Sequence, residues 1–568
     1  MTTNQSVNKW LKEPFDIETQ QEVKALQDDL ELLEDAFYTS LSFGTGGMRG
    51  IMGVGTNRIN KYTLGKNTQG ISHYLKKRYP EETLKAVIAF DCRHNSQYLA
   101  KIVADIFTAN GINAYLFSDL RPTPELSFAV KYLNAHCGIV LTASHNPPKY
   151  NGYKVYGKDG GQLVEPEDEK IINIIEKTPF ESILFQGNTD LLHIINKKID
   201  EEYQNAVLKE AKMHSLNKDD FKIIFTPIHG TAITAIPQVL KKAGYNKVYT
   251  VKEQAEPDGD FPTVISPNPE EPDSLKMAVA LAKKMKADIV IGTDPDADRI
   301  GIVIKNTNNQ WCYLNGNQIM MVLTDYLLER KAILKELSPE HFIATTIVSS
   351  PIMKKIADHY GVKFKISLTG FKWIAKLIND FQELKFVGGG EESFGYLVGD
   401  TVRDKDAISA SLLACEIGSE AKKNNSSFYE LMVKCYMKYG VFKEHLVSIT
   451  KEGKSGVFDI AKKMDGYRTN PPKSIAGKLI HQIEDYENST QYDLQKKSKK
   501  RLKLPKSNVL ILVLEDGIRI SLRPSGTEPK MKFYYSLNKP FDTSKTWEEQ
   551  DEELQKRINE LVKETALL

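Results

Sequence analysis

Asp288-Ile289-Val290-Ile291-Gly292-Thr293-Asp294-Pro295-Asp296-Ala297-Asp298 (288–298) joins two kinds of sequence at one point. Asp288–Gly292 reads as a short, β-branched strand of the length buried between helical layers. From Asp294 onward the chain carries a carboxylate at every second position. The stretch Ser274–Met285 just before it has helical spacing, so helix, strand and charged loop follow in order. In open α/β sheets ligands bind beyond the carboxyl ends of the strands, and that is where the three aspartates fall.

The same alternation extends outward in both directions. Toward the N-terminus, Ala86–Phe90 reads as strand, Gln97–Asn110 as helix stopped by Gly111, and Asn113–Phe117 as strand. Gly138–Leu141 is the next strand, ending at Thr142-Ala143-Ser144-His145-Asn146-Pro147. A second round has strand at Lys222–Phe225, helix at Ala232–Ala243 capped by Gly244, and strand at Lys247–Val251. A third round runs through helices near Ile319–Glu329, Pro351–His359 and Phe371–Ile378. Its strands are His341–Ile347, Lys363–Ile366 and Lys385–Val387, the last leading into Gly388-Gly389-Gly390-Glu391-Glu392-Ser393. Such alternation predicts three α/β domains with mixed sheets. The last stretch differs: Val509–Leu514 and Ile518–Leu522 flank the hairpin signal Glu515-Asp516-Gly517, and a charged helix runs from Thr546 to the end. That predicts a C-terminal α+β domain. The expected divisions are 1–205, 206–315, 316–440 and 441–568. Val23, Leu26, Leu30, Leu33 and Phe37 read as one N-terminal amphipathic helix, and the Lys-rich stretch Gln495–Lys506 as a solvated loop.

A chain of 568 residues is too long for one core. Lys plus Arg is 76 and Asp plus Glu is 74, a net charge of +2, which gives no overall reason to expect nucleic acid or an anionic membrane as partner. Cys92, Cys137, Cys312, Cys415 and Cys435 are scattered, which suits a reducing compartment and argues against a disulfide framework or a zinc site. Trp10, Leu11, Phe15 and Ile17 are too interrupted for a signal peptide, and no apolar run approaches the ~20 residues of a membrane span. The expectation is a cytoplasmic protein.

Taken singly, each loaded loop has an ordinary reading beside a chemical one. Asp294, Asp296 and Asp298 repel one another, and a hard cation with oxygen ligands relieves the repulsion; an Asx-rich turn fits equally well. An EF-hand fails, because Arg299 and Lys305 stand where Gly and Glu are needed. A phosphatase of the haloacid-dehalogenase type wants Thr where Asp298 stands. Three aspartates leave an octahedral ion open positions, which suits Mg²⁺ bridging to a phosphoryl oxygen. Ser144 is a helix N-cap or an exposed nucleophile. Glu391, Glu392 and Ser393 follow a triple glycine that lets backbone approach a ligand, and paired acids there could accept from sugar hydroxyls. Arg523-Pro524-Ser525-Gly526-Thr527-Glu528-Pro529-Lys530 places a guanidinium, two hydroxyls and a flexible glycine together, a nest for a phosphate dianion. Phe43-Gly44-Thr45-Gly46-Gly47-Met48-Arg49-Gly50 fits neither the Walker nor the dinucleotide fingerprint, and leaves Arg49 presented to something anionic.

In this order and spacing the loops resemble the α-D-phosphohexomutase superfamily, over the chain from Phe43 to the C-terminal helix. The resemblance implies four domains around a central cleft, each giving it one loop. It implies that Ser144 is a phosphoserine, with Asp294, Asp296 and Asp298 holding one Mg²⁺ together with the Ser144 phosphate. Arg49 and Lys154, the latter in Tyr150-Asn151-Gly152-Tyr153-Lys154, would move protons and stabilise charge at the attacking hydroxyl, with His145 counted in the catalytic set. Glu391, Glu392 and Ser393 would face the sugar, and Arg523, Ser525, Gly526, Thr527 and Lys530 the phosphate that is not transferred. Arg299, Thr369, Gly370, Lys372 and Lys405 complete the implied substrate contacts.

The implied activity interconverts glucose 1-phosphate and glucose 6-phosphate through glucose 1,6-bisphosphate, which would also serve as activator. Gly390-Glu391-Glu392-Ser393-Phe394-Gly395 looks like the hexose-type loop, placing glucose ahead of mannose and pentose phosphates. The rival from another class is a metal-dependent sugar phosphatase. The expected partner is a phosphorylated monosaccharide, and the expected state a monomer or weak homodimer.

Overall fold

The computed structural model describes residues 2–44, 46–214, 216–450, 453–524 and 530–567. They fall into two compact units, one of residues 1–316 with 371–425 and the other of residues 317–370 with 426–568.

In the first unit, β1 (Gly47–Ile51), β2 (Lys85–Phe90), β3 (Asn113–Phe117), β4 (Cys137–Leu141), β5 (Tyr150–Gly157) and β6 (Leu192–Ile195) form one sheet in the order β1-β5-β4-β2-β3-β6. β2 pairs parallel with β3 and β4, whereas β5 runs antiparallel to both β4 and β1. Ala86 to Phe90 are all buried, as expected of a central strand covered on both faces by the helices Lys61–Arg78 and Ser96–Ala109 and by Thr123–Tyr132. A second sheet contains β7 (Ile223–Thr226), β8 (Val248–Thr250), β9 (Ile289–Thr293), β10 (Ile300–Lys305) and β11 (Trp311–Tyr313), in the order β11-β10-β9-β7-β8. The three-α/β expectation therefore holds in kind: each sheet mixes a parallel centre with an antiparallel edge. β4 ends just before Ser144 and β9 just before Asp294.

The third round spreads over both units. β12 (His341–Thr346) and β13 (Lys363–Ser367) pair in parallel in the second unit, while β14 (Lys385–Gly390) and β15 (Tyr396–Val398) pair antiparallel in the first. The second unit also holds β16 (Val441–Thr450), β17 (Ser474–Ile475), β18 (Lys478–Asp485), β19 (Thr490–Asp493), β20 (Ser498–Arg501), β21 (Leu510–Leu514), β22 (Arg519–Pro524) and β23 (Lys530–Lys539). Its main sheet runs β16-β23-β22-β21-β18-β19-β20, with β17 attached to β18. The hairpin predicted at Glu515-Asp516-Gly517 joins β21 to β22, and Gly517 takes φ +84° as such a turn requires. Leu554, Ile558 and Leu561 of the last helix, Trp547–Leu567, close the core over this sheet.

Two local expectations differ from the structure. The N-terminal amphipathic stretch is three helices, Thr3–Trp10, Ile17–Leu26 and Leu30–Phe37. Asp16 and Asp29 break it, because each carboxylate accepts from the backbone N–H three residues on (Thr19, Leu32) and starts a new helix. Trp10, Phe15, Val23, Leu33 and Phe37 then pack with Tyr62. The Lys-rich stretch is not a plain loop: β19 and β20 pair there as a hairpin at the sheet edge, with Thr490 opposite Arg501 and Asp493 opposite Ser498.

Candidate active site

Ser144 sits one turn beyond β4 with φ +51°, a left-handed conformation that is costly for a residue with a Cβ. Arg93 helps to hold it there. From its buried position just after β2, the guanidinium donates to the carbonyls of Ser144 (2.6 Å), Pro147 (2.9 Å) and Tyr150 (3.0 Å), and to that of Asn146. Asp91, also buried, lies 3.4 Å from Arg93 Nε and accepts from Arg93 N and Ser96 Oγ. The face of the Phe261 ring lies 5.0 Å from the guanidinium carbon. The backbone N–H of Ser144 donates to Thr142 Oγ1 at 2.8 Å. A four-carbonyl clamp on one loop is a strong restraint, because a single rigid guanidinium ties four points of the backbone from Ser144 to Tyr150 together.

The clamp aims Ser144 Oγ at the aspartate loop, where it donates to Asp294 Oδ2 at 2.6 Å. His145 Nδ1 lies 3.1 Å from the same hydroxyl. Asp294, Asp296 and Asp298 are at most 2% exposed, and one oxygen from each lies within 4.8 Å of the others. Ala297 takes φ +57°, which brings the alternate side chains together. Asp294 Oδ1 accepts from the backbone N–H of Asp298 and Arg299, both at 3.0 Å. Thr123, at the start of the helix Thr123–Tyr132, grips Asp296 twice: its N–H donates to the Asp296 carbonyl (2.9 Å) and its hydroxyl to Asp296 Oδ2 (2.8 Å).

Lys154 reaches the same cluster from β5, donating to Asp296 Oδ2 (2.6 Å) and Asp298 Oδ2 (3.0 Å). It can do so because β5 lies between β1 and β4, with Lys154 opposite Gly47 on one side and Val140 on the other. The closeness of these strands explains the glycine of the Y-N-G-x-K segment: a Cβ on Gly152 would stand 2.3 Å from the Thr142 carbonyl oxygen. Arg49, opposite Gly152 on β1, donates to Asn146 Oδ1 at 2.7 Å. Lys405 Nζ lies 3.1 Å from Asp298 Oδ2 and 3.1 Å from Asp404. Arg299 pairs with Glu270 and approaches Asp298 Oδ1 at 4.0 Å.

The electrostatics of this cluster are in conflict. Burial, then the charges of Asp296 and Asp298, pushes the Asp294 carboxyl well above the usual range. Burial acts on Asp298 in the same sense, but Lys154, Lys405 and Arg299 outweigh it and hold that carboxyl below its usual range. Lys154 is raised, because Asp296 and Asp298 outweigh its own desolvation; it is a firmly held ammonium. Asp296 Oδ1 and Asp298 Oδ1 are buried and accept no hydrogen bond among the described residues. Orphaned carboxylate oxygens beside a third carboxyl whose ionisation they oppose form an all-oxygen donor set that fits a hard divalent cation.

The remaining expected residues divide between the two units. Glu391 is buried at the end of β14, its N–H donating to the Gly395 carbonyl, and Glu392 and Ser393 follow it half-buried. Against their own burial, Arg299 is raised first by Glu270, Asp298 and Asp294 and Lys405 by Asp298 and Asp404; the Glu391 charge adds a smaller part to both, so it belongs to the same electrostatic cluster. The Lys372 ammonium lies 5.7 Å from the Trp373 ring centroid. Thr369, Gly370, Arg523 and Lys530 belong to the second unit; Arg523 lies on β22 opposite Lys532, and Lys530 opens β23 opposite Thr450. Ser525, Gly526 and Thr527 lie outside the described residues.

Sequence reading missed Arg93, Asp91 and Thr123. The signal was present for the first two as Asp91-Cys92-Arg93 directly after a parallel strand, the position where ligand-site residues collect. Arg93→Leu is expected to destabilise the chain by about 3–5 kcal/mol, because it leaves Asp91 buried without its cation. Adding Asp91→Asn removes that charge and should recover much of the stability, whereas catalytic activity should stay low because the Ser144 loop has still lost its clamp. Thermal unfolding and turnover of the single and double variants check this. Recovery of both together would mean that Arg93 acts only on the fold.

Comparison with known proteins agrees with this geometry. Family models described as phosphoglucomutase/phosphomannomutase alpha/beta/alpha domains I, II and III match residues 40–182, 201–308 and 315–436. A phosphoglucomutase of Staphylococcus epidermidis is 38% identical over 511 residues, covering 89% of this chain and 92% of that protein. One from Staphylococcus aureus is 38% identical over 521 residues, covering 90% and 92%. Two solved structures share the fold. A phosphoglucomutase/phosphomannomutase family protein from Burkholderia thailandensis has a TM-score of 0.64 at 17% identity, covering 88% of this chain and 94% of that one. The open form of parafusin, a phosphoglucomutase from Paramecium, has 0.64 at 18%, covering 90% and 92%.

Proposed function

The chain belongs to the phosphoglucomutase/phosphomannomutase family, within the α-D-phosphohexomutases, and from that membership we propose that it is a phosphoglucomutase working through a phosphoserine at Ser144. The observation that carries the proposal is the contact of Ser144 Oγ with Asp294 at 2.6 Å, inside a carboxylate cluster that Lys154 also enters. Nucleophile, metal ligands and a fixed cation share one buried spot.

Phosphoryl transfer asks the protein for placement and charge neutralisation more than for covalent work. Phosphorylated Ser144 brings roughly two negative charges to three aspartates. The Mg²⁺ that Asp294, Asp296 and Asp298 would hold supplies Lewis-acid neutralisation of the phosphoryl oxygens. Arg93 fixes the Ser144 backbone, so that Oγ keeps one direction as donor and as acceptor of the group. Lys154 and Arg49 place positive charge and N–H donors beside the moving phosphoryl, and Glu391 and Ser393 accept from the sugar hydroxyls. The phosphoserine gives its phosphoryl to the free hydroxyl of glucose 1-phosphate or glucose 6-phosphate. The resulting glucose 1,6-bisphosphate turns over and returns the other phosphoryl to Ser144. We assign Arg523 to the phosphate that is not being transferred. The scattered cysteines, none in a disulfide among the described residues, agree with a cytoplasmic setting, and no helix among the described residues is long and apolar enough to cross a membrane.

The test measures isomerisation and phosphate release together on glucose, mannose and pentose phosphates. Isomerisation of glucose 1-phosphate far ahead of the other sugars supports the proposal, and phosphate release outpacing isomerisation overturns it in favour of a phosphatase. Arg523→Ala sharpens the result. Loss of a charge-assisted, bidentate phosphate contact is expected to raise KM about ten- to hundredfold. The variant should also need added glucose 1,6-bisphosphate to stay phosphorylated, since the intermediate escapes more often. Equal rates with and without bisphosphate would remove Arg523 from the scheme.

A further inference from the structure

The hairpin β19–β20 and the segment after it carry Lys496, Lys497, Lys499, Lys500, Arg501, Lys503 and Lys506, in a chain whose formal net charge is only +2. Four of these cations, Lys499, Lys500, Arg501 and Lys506, line a concavity of about 510 Å³. Asn488, Ser489 and Thr490 form its other wall, where the Thr490 hydroxyl donates to the Asn488 carbonyl at 2.9 Å and the Asn488 amide to Asp485 Oδ2 at 2.6 Å. Among the described residues none of the four cations makes an ion pair with a carboxylate; Lys499 only lies over the Tyr492 ring, at 5.1 Å.

Two ordinary explanations account for part of this. β20 is the edge strand of its sheet, and charged side chains there discourage pairing with another chain. One or two lysines on a four-residue strand suffice for that purpose. Edge protection does not call for Lys506, which is off the strand yet lines the same hollow. The second explanation is that the charge serves the Arg523 phosphate loop. Arg501, Thr490, Asp485, Leu510 and Leu522 form one row across the sheet, so the hollow and Arg523 lie at the same end of it. They are four strand spacings apart, roughly 19 Å at ~4.8 Å per strand. That exceeds two Debye lengths at physiological salt, about 8 Å each, so these charges have little hold on a phosphate bound at Arg523.

We propose that this hollow is a separate anion site for a molecule carrying two or more linked phosphate groups. A phosphate dianion balances two cations, so four clustered cations match two phosphates better than one. The lining holds no carboxylate to accept from sugar hydroxyls and no aromatic ring to stack on a base. Recognition therefore falls on the phosphates themselves, with the Ser489 hydroxyl and the second amide proton of Asn488 adding hydrogen bonds to their oxygens.

The experiment titrates inorganic pyrophosphate and tripolyphosphate into the full-length protein by calorimetry, at about 0.15 M salt and without Mg²⁺. The comparison variants are Lys499→Ala/Lys500→Ala/Arg501→Ala, Lys506→Ala and Arg523→Ala. The triple variant changes only exposed side chains, and it is expected to bind tripolyphosphate at least about tenfold more weakly. Lys506→Ala, which leaves the strand untouched, should weaken it about threefold. Arg523→Ala should bind it as the parent does, and phosphosugar kcat/KM should be unchanged in the triple variant. Equal binding by the triple variant, or loss of binding in Arg523→Ala alone, overturns the proposal. So does tighter binding of duplex DNA or of phosphatidylserine vesicles than of tripolyphosphate, which would make the hairpin a surface for those polymers or lipids.

Discussion

Ser144→Ala is expected to lose on the order of 10⁴-fold or more of its phosphosugar isomerisation while unfolding within a few degrees of the parent. Ser144 and alanine carry the same Cβ, so the left-handed φ of +51° costs the variant no more than it costs the parent. The Arg93 clamp acts on carbonyls and survives the change. What is lost is the oxygen proposed to carry the phosphoryl group, and the donor to Asp294 Oδ2. Asp294 keeps its two backbone donors, from Asp298 and Arg299, so its loop should hold its shape. Intact-mass measurement before and after glucose 1,6-bisphosphate should show phosphorylation of the parent and none of the variant. Activity above a few per cent with bisphosphate present would place the carrier elsewhere and remove the phosphoserine scheme.

Lys154→Ala is expected to separate chemistry from metal binding. Lys154 occupies Asp296 Oδ2 and Asp298 Oδ2, so it competes with a cation for the same carboxylates while stabilising them without one. Its removal should lower turnover about 10²- to 10⁴-fold, the range for losing a positioned proton-transfer or charge-stabilising group. In chelator the variant should be less stable by about 3–5 kcal/mol, the cost of breaking a buried ion pair from one side. Its affinity for Mg²⁺ or Mn²⁺ should rise, because the three aspartates then lose a cation in direct contact with two of them and keep Lys405 and Arg299, with Arg49 and Arg93 acting on them through their charges. Unfolding temperature with and without Mn²⁺, and direct metal titration, measure both effects. Weaker metal binding in the variant would mean that Lys154 organises the metal loop and does not compete with it.

The site was legible in part because its chemistry is written locally. Asp294, Asp296 and Asp298 fall within five consecutive residues, and strand-then-loop spacing set them beyond the end of β9. The same spacing put Ser144 beyond β4 and Glu391 at the end of β14. The alternation of apolar strands with helices sufficed for three α/β rounds, because a strand buried on both faces must be apolar throughout. The Glu515-Asp516-Gly517 hairpin was equally local. What misled was periodicity without its interruptions: apolar spacing from Val23 to Phe37 suggested one helix, while Asp29 acts as an N-cap that divides it.

Tertiary structure alone decided the rest, and the reason is distance along the chain. Arg93 clamps carbonyls 51 to 57 residues away, and Thr123 grips Asp296 173 residues away. No window of sequence contains either pair. Lys154 meets Asp296 and Asp298 only because β5 turns back antiparallel beside β4, a registration set by strand pairing and by the room that Gly152 leaves for the Thr142 carbonyl. The net charge of +2 likewise concealed the cationic hollow, since a sum over the whole chain cannot show that Lys499, Lys500, Arg501 and Lys506 gather on one side of a hairpin. Sequence by itself determined which residue types the chemistry needs and at which strand ends they stand. The fold decided which of them touch, because contact depends on strand order and register, and those are properties of the assembled sheets.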